Sequence, residues 1–579
     1  MRTTLQEALI LISNHFCDFE RQTLFIEHIV QDKRTEWLAF GEALKSPLDF
    51  MSFVGLDKPP SFAVEGAATL QNRSRLLDAL HVVLGVVKRC TWPDDPERAQ
   101  RGGFVIGCTE LGNPICRNPA TKHVVPLLSH VLSLMRVLNE LFAPEALHAL
   151  SEGYRGIHGM MEHEKKLLMG ICALPTDPLD TTIRSEPTAF EKMQTFMMMV
   201  TEGCYHLMGS AGPSLGRDLY QLMGLSDAIV TNVFSRMDLV PDYRLRPIIR
   251  VFFKPFVYSC PPSFYDSVLV PLFAHLAPLM CERLTRRWIY IASLYESGQL
   301  DGEVNDTQEV LEDQLNRTLT REYLDVLKIA LVGGQIGADH VAAGANANSN
   351  SVAMENEEHS MDSAPQSRAS QSALLSDIIS DLGGKLLRNG LIGNYVLMTL
   401  LKAIAWNDGM CSMKAVNIAA PVMRFLAAEK LMDENKAVTA FTAVLQGMQV
   451  HGQHEANQSG MVTLGVQFYE LLRPQFPILS EVLQHIPSVN AADIQKFDEK
   501  IAVAPAKGNK VDRAKKDIFK KLTAQLVGRS VNQLFRHEVQ IANLPPMQSH
   551  KAKGAMGTTA DIMDSNQNAS LARLFGPEK

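Results

Sequence analysis

"RSRLLDALHVVLGVVKRC", residues 73–90, decides the fold class. Leu76, Leu77, Leu80, Val83, Leu84 and Val87 recur at helical spacing and form one apolar stripe, with charged residues gathered at the ends. The same spacing runs through 124–141 (Val124, Leu127, Leu128, Val131, Leu134, Met135, Leu138) and predicts further helices over 219–234, 265–294, 310–331, 372–405, 418–430, 437–450 and 461–473. Strand signals are poor. "GFVIGC" at 103–108 is the best candidate, beside a Gly-rich loop that runs to "GNPICRNP" at 112–119. Most breaks between helices carry Pro, Gly, Asn or Asp, as short connections between paired helices do.

A chain of 579 residues is longer than a single core sustains. An all-α chain of this length, with short loops, predicts a solenoid of helix pairs. The HEAT and armadillo period of ~40–47 residues would give about ten pairs. No clean repeated consensus is visible, which stacked pairs tolerate because each pair only has to bury its faces on its neighbours.

Composition is that of a folded protein, with 46% hydrophobic and 21% charged residues and a net charge of −7. Nine cysteines are scattered without any C-x-x-C pair, which suits reduced thiols rather than a disulfide frame or a zinc site. The first residues, "MRTTLQEALILISNHFCDFERQTLF", place Leu5, Ala8, Leu9, Ile12 and Phe16 at helical spacing and do not read as a signal peptide. No apolar run is read as reaching the ~18–20 residues of a membrane span. The expectation is a soluble, intracellular protein.

Two internal stretches and the tail from about Leu544 depart from the helical pattern. Residues 296–313 hold seven acids and no base, which predicts an acidic loop leading into a helix. Residues 341–371 are rich in Ala, Asn and Ser and predict a disordered insertion. The resulting layout is a helical-repeat solenoid over 1–340, the insertion, C-terminal repeats over 372–543 with a basic helix within 496–536, and a flexible tail over 544–579.

Charge concentrates in particular places. Between Lys496 and Arg536 eleven Lys and Arg stand against four acids, a local +7; such asymmetry is what a polyanion exploits, although a solvated helix face reads the same way. In "PDYRLRPIIRVFFKPF" (241–256) a helix is predicted to begin near Pro247. Arg246, Arg250 and Lys254 then share one face, Ile249, Phe252, Phe253 and Phe256 turn the other way, and Pro255 kinks or ends the helix. Arg283, Arg286 and Arg287 cluster beside Trp288. Lys88 and Arg89 close the helix of 73–90, where the helix dipole favours cations.

Catalytic signatures fail. "GSAGPSLG" (209–216) lacks both the Gly-Lys-Ser/Thr of a phosphate loop and a preceding strand. His158 and His163 are wrongly spaced for two ligands on one helical face, and His451 and His454 have no third ligand nearby, so they read as exposed histidines at a helix end. Cys260 has no arranged base, and "MMMV" (197–200) reads as core filling. A binding scaffold is expected rather than an enzyme, with no cofactor and no metal.

"EALILISNHF" (7–16), "LGVVKRCTWP" (84–93), "RGGFVIGCTELGNPICRNP" (101–119), "PDYRLRPIIRVFFKP" (241–255), "LTREYLD" (319–325), "HGQHE" (451–455) and "LARLFGPEK" (571–579) together resemble the exportin-5 family of karyopherins, in the importin-β superfamily. The resemblance runs in order over nearly the whole chain. It implies a HEAT-repeat superhelical solenoid that grips a double-stranded RNA hairpin of precursor-microRNA type together with Ran-GTP, and shuttles between nucleus and cytoplasm. Nucleoporins and protein cargo are further implied partners, with no membrane, and the expected state is a monomer. The resemblance implies that the chain starts in the middle of the family's protein, without the repeats that supply the main Ran surface, so it is expected not to export unaided. No contact residue is carried over, since the family's overhang-gripping positions lie at or before residue 1.

On this reading the RNA-facing candidates are Arg244, Arg246, Arg250 and Lys254, and in the basic helix Arg513, Lys515, Lys516, Lys520 and Lys521. A concave basic stripe would meet the phosphates of an A-form duplex, whose narrow major groove hides the base edges. Two alternatives stay open. The cations could pair with acids such as those of 296–313, or the chain could be a HEAT scaffold for protein cargo without direct RNA contact.

Overall fold

The structure is a computed structural model describing residues 2–60, 68–109, 112–170, 187–297, 307–332, 378–486, 489–502 and 513–527. The expected insertion at 341–371 and the tail from 544 lie outside the described residues. Compact packing divides the chain between His275 and Leu276, earlier than the break expected near residue 340.

The first unit opens with α1 (Arg2–Ser13), α2 (Phe19–Ala39), α3 (Pro47–Val54), α4 (Ala68–Arg89) and α5 (Pro96–Arg101). Capping sets the starts: Asp18 accepts from the Arg21 N–H, and Ser46 accepts from Asp49 with Pro47 in the first turn. A two-stranded antiparallel hairpin, β1 (Val105–Cys108) with β2 (Pro114–Cys116), follows as the 103–108 pattern predicts. Then come α6 (Thr121–Glu140), α7 (Pro144–Ala149), α8 (Glu162–Leu168), α9 (Ala189–Leu215), α10 (Arg217–Tyr220), α11 (Leu225–Asn232), α12 (Asp242–Pro247) and α13 (Lys254–Ser259). The helix expected over 219–234 is broken at Gly224, whose φ of 73° lies in the left-handed region.

Helix α9 is absent from the periodicity reading because its second half is glycine-rich. "GSAGPSLG" is the end of this helix, and its glycines serve packing. A Cβ on Gly203 would strike the Leu80 side chain of α4, and one on Gly209 would drive into the Val251 carbonyl oxygen. Helix α9 is therefore sandwiched at close range between α4 and the segment 242–259. Of "MMMV", Met197 and Val200 are buried along it as core filling requires, while Met198 and Met199 are half-buried.

Helix α14 (Val270–Glu296) carries the division between the units. The helical run Pro262–Glu296 is long and apolar enough to cross a bilayer by length and composition, which the sequence reading had not registered. Its apolar residues are used as core: Leu269, Leu272 and Phe273 are buried in the first unit, and Met280, Leu284 and Trp288 in the second.

The second unit continues with α15 (Gln308–Leu331), α16 (Asp381–Arg388), α17 (Gly390–Ala405), α18 (Gly409–Ala428), α19 (Glu434–His451), α20 (Glu455–Leu472), α21 (Leu479–Gln484), α22 (Ala491–Ala502) and α23 (Arg513–Leu522). Ser380, Asn389, Asp408 and Asp433 each accept a backbone N–H at a helix start, so each break is written by a capping side chain. Asn389 divides the helix expected over 372–405, whose first residues lie outside the described ones. Helix α17 packs on α18 and α19, and α20 on α18 and α19. Equivalent helices thus recur two along, with starts from Gly390 to Glu434 and from Gly409 to Glu455, inside the ~40–47-residue HEAT period. The all-α HEAT-repeat solenoid class holds.

Candidate nucleic-acid interface

The segment 242–259 is one helical run rather than a helix starting at Pro247. Between α12 and α13, residues Ile248–Phe253 adopt π-helical geometry, shown by the Lys254 N–H bonding to the Ile249 carbonyl five residues back. Pro255 sits in the first turn of α13 and ends nothing. Its missing N–H would leave the Val251 carbonyl without an α-helical donor, and it is this carbonyl that approaches Gly209.

The π stretch also straightens the surface. In an α-helix a row of every fourth residue drifts around the axis, and wider i→i−5 bonding counters that drift. Four rows result. Arg244, Ile248, Phe252 and Phe256 are buried, as are Leu245, Ile249, Phe253 and Val257. Arg246, Arg250, Lys254 and Tyr258 form the outward row, with Arg250 and Tyr258 exposed and the other two half-buried. The intervening row of Tyr243, Pro247, Val251, Pro255 and Ser259 is half-buried throughout. The expected separation of cations from aromatics is therefore present, and Arg246, Arg250 and Lys254 each have partners within the fold. Tyr258 extends the cationic row at its next fourth position, a signal readable in the sequence that the basic residues had obscured.

Arg244 belongs elsewhere. It is 5% exposed, its guanidinium lies 5.4 Å from the Tyr243 ring, and it faces the interior beside His158 and Tyr205. Burial, reinforced by the Arg244 charge, pulls the His158 imidazole down to about 4. Burial likewise raises the Glu202 carboxyl, against the opposing pull of Arg244. Arg244 thus lies off the outward row.

In the second unit α23 is amphipathic. Lys515, Phe519 and Leu522 form its buried face; Phe519 packs against Gly465 of α20 and near the rings of Phe441 and Phe497. Lys515 donates from Nζ to Glu470 Oε1 at 2.7 Å, so this lysine is an internal tie. Arg513, Lys520 and Lys521 are exposed and Lys516 is half-buried, with Arg513 4.0 Å from Asp517. Lys516, Lys520 and Lys521 make no ion pair among the described residues. Arg529 and Arg536 of the same basic region lie outside them.

Other cation clusters turn inward. Arg287 reaches Glu312 at 3.4 Å. Arg317 bonds Asp313 at 2.8 Å and the Tyr295 hydroxyl, and Arg321 grips Asp408 with two nitrogens at 2.7 and 2.8 Å. Burial would raise the Asp408 carboxyl, but hydrogen bonds from Arg321 and the Cys411 side chain, with the two guanidinium charges, hold it at about 2. The acids of 296–313 therefore partner Arg287 and Arg317, and this Asp408 knot went unseen in the sequence. Arg89 pairs with Glu7 of α1 at 3.1 Å, a tie between helices beyond its favourable place at a helix end.

The remaining candidates for chemistry are structural. His451 is buried, not exposed, with Nε2 2.8 Å from the Trp406 carbonyl, while His454 is exposed. Burial pushes the Cys260 thiol well up. No cluster of potential metal ligands occurs among the described residues.

A family model described as the Exportin-5 family matches residues 2–538. Exportin-5 of Homo sapiens is 34% identical over 584 residues, covering 100% of this chain and 46% of the relative. Exportin-5 of Mus musculus is 34% identical over 587 residues with the same coverage, and Exportin-5 of Dictyostelium discoideum is 22% identical over 329 residues, covering 56% of this chain and 27% of the relative. The chain spans about half the length of the first two curated relatives.

Proposed function

The chain belongs to the Exportin-5 family, and from that premise we propose that it forms part of a nuclear export receptor that shuttles between nucleus and cytoplasm and holds structured, double-stranded RNA of precursor-microRNA type together with Ran-GTP. One observation supports the RNA reading: the row Arg246, Arg250, Lys254 and Tyr258 is exposed or half-buried, while Leu245, Ile249, Phe253 and Val257 beside it and Ile248, Phe252 and Phe256 behind it are buried. Regularly spaced cations on a rigid helical run suit phosphates along a duplex, which are read by shape and charge rather than by base identity. Arg513, Lys516, Lys520 and Lys521 offer a second cationic face in the other unit. Arg244 and Lys515 act in this reading as internal supports for those faces.

A second reading, a HEAT scaffold for protein cargo without RNA contact, is favoured by the pairing of Arg287, Arg317 and Arg321 with carboxylates. Hairpin-RNA affinity measured across a salt series separates the two. Phosphate contacts predict a steep loss of affinity with salt and a similar loss for all duplex sequences in the triple variant R246E/R250E/K254E. A flat salt dependence would defeat the RNA reading and leave the scaffold.

A further inference from the structure

Arg244 and His158 border a small internal cavity whose other polar walls include Thr201 and Tyr205. The space open to the centre of a water molecule there is about 10 Å³, at the lower limit for holding one water. His158 Nε2 is buried without a hydrogen-bond partner among the described residues. The His158 ring lies against Phe142 at 5.2 Å, and its backbone carbonyl accepts from the Tyr243 hydroxyl, so the imidazole is held in place from two sides. Arg244 forms no hydrogen bond or ion pair among the described residues, although a guanidinium carries several donors. The Thr201 hydroxyl donates to the Met197 carbonyl and keeps its lone pairs for another donor.

A buried acceptor and a largely buried cation border one small polar cavity with no hydrogen bond between them, which calls for a mediator. We propose that one ordered water occupies this cavity, accepting from the Arg244 guanidinium and donating to Nε2 of His158. The water makes Arg244 a fixed post at the start of the helical run that bears Arg246, Arg250 and Lys254. Size favours water over a halide, and Glu202, in electrostatic contact with Arg244, supplies counter-charge without an anion. The inference does not rest on RNA binding, since a failed salt series leaves the cavity unchanged.

A high-resolution crystal structure tests it, with a parallel crystal grown in bromide. The expected result is a single solvent peak within ~2.7–3.2 Å of both Arg244 and His158 Nε2, without anomalous signal in bromide. An empty cavity or a bromide peak overturns the proposal. Independently, H158F and R244M are combined in a double-mutant cycle read by urea unfolding at pH 7, where His158 is uncharged. A bridging water makes the unfolding constants depart from multiplicativity by about fivefold or more, although the two side chains do not touch. Multiplicative behaviour within about twofold refutes it. R244K takes the place of R244M should the latter fail to fold.

Discussion

Two cationic regions use one residue type in opposite ways. In the first unit, segment 242–259 turns Arg250 outward while three phenylalanines are buried behind it. In the second, Arg317 and Arg321 turn toward Asp313 and Asp408, and Arg317 lies 5.8 Å from the Trp288 ring, which is itself stacked on Trp406. The inward turn of Arg317 and Arg321 is set by which positions carry a carboxylate. Asp313 stands four residues before Arg317 on the same helix, and Asp408 is the cap of α18, whose position is fixed by the fold. In the run 242–259 Arg250 has further cations, Arg246 and Lys254, at its fourth-residue positions, and it is exposed. A cation cluster in a helical repeat thus becomes an internal tie where an acid at helical spacing or at a cap draws it inward, as at Arg317 and Arg321.

The largest effect that sharpens this contrast is the loss of Asp408. Its removal leaves two partly buried guanidinium groups without their shared partner, and breaking a buried pair costs about 3–5 kcal/mol. D408A should therefore destabilise the second unit strongly in urea unfolding while leaving the first unit's transition in place. The pH profile gives an independent check. Because Asp408 is held at about 2 in the fold, below its ordinary 3.8, its contribution is complete above pH 4 and is lost as pH falls through 4 toward 2. An acid limb unchanged by D408A would break the contrast.

Next in size is His158 in the first unit. Its folded value of about 4 lies below the ordinary 6.5, so the unfolded chain binds the extra proton first. Stability is complete above pH 6.5 and falls by roughly 3 kcal/mol as pH drops from 6.5 to 4. H158F should remove that slope. With His158 in place the two units show separate acid limbs, one near pH 5 and one below pH 4, and coincident limbs would contradict the assignment. Gly209→Ala comes third: its methyl group would push Val251 and the π stretch away from α9, at about 1–3 kcal/mol. It should also weaken RNA binding by misplacing the outward row, which D408A should not do directly.

Much of this was legible beforehand. The stripe of 73–90 became α4, and "GFVIGC" became a strand. Asp433 falls between the helices expected over 418–430 and 437–450, whereas Asn389 falls inside the one expected over 372–405 and caps a new start there. Sorting the cations within a cluster was also readable in part: Lys515 shares its stripe with Phe519 and Leu522, and Arg244 shares a four-residue row with Ile248, Phe252 and Phe256. Reading charge before stripe hid both. The π geometry was not legible, because it arises from Pro255 and from the tertiary approach of Gly209, neither of which has a period. Nor was the Asp408 knot, whose members lie far apart in the chain and meet only when α18 packs on α15.

The smallest expected effect is the most discriminating. Arg250 is exposed, so Arg250→Ala should change stability by at most about 1 kcal/mol, the range of a surface ion pair, against several for D408A. If the outward row exists for a polyanion, this nearly silent substitution should still lower hairpin-RNA affinity and shallow its salt dependence by about one counterion. A cation kept only to hold the fold would show the reverse, a clear loss of stability with affinity unmoved. The ratio of the two effects at Arg250, compared with the same ratio at Arg321, measures whether the two regions differ in purpose or only in burial.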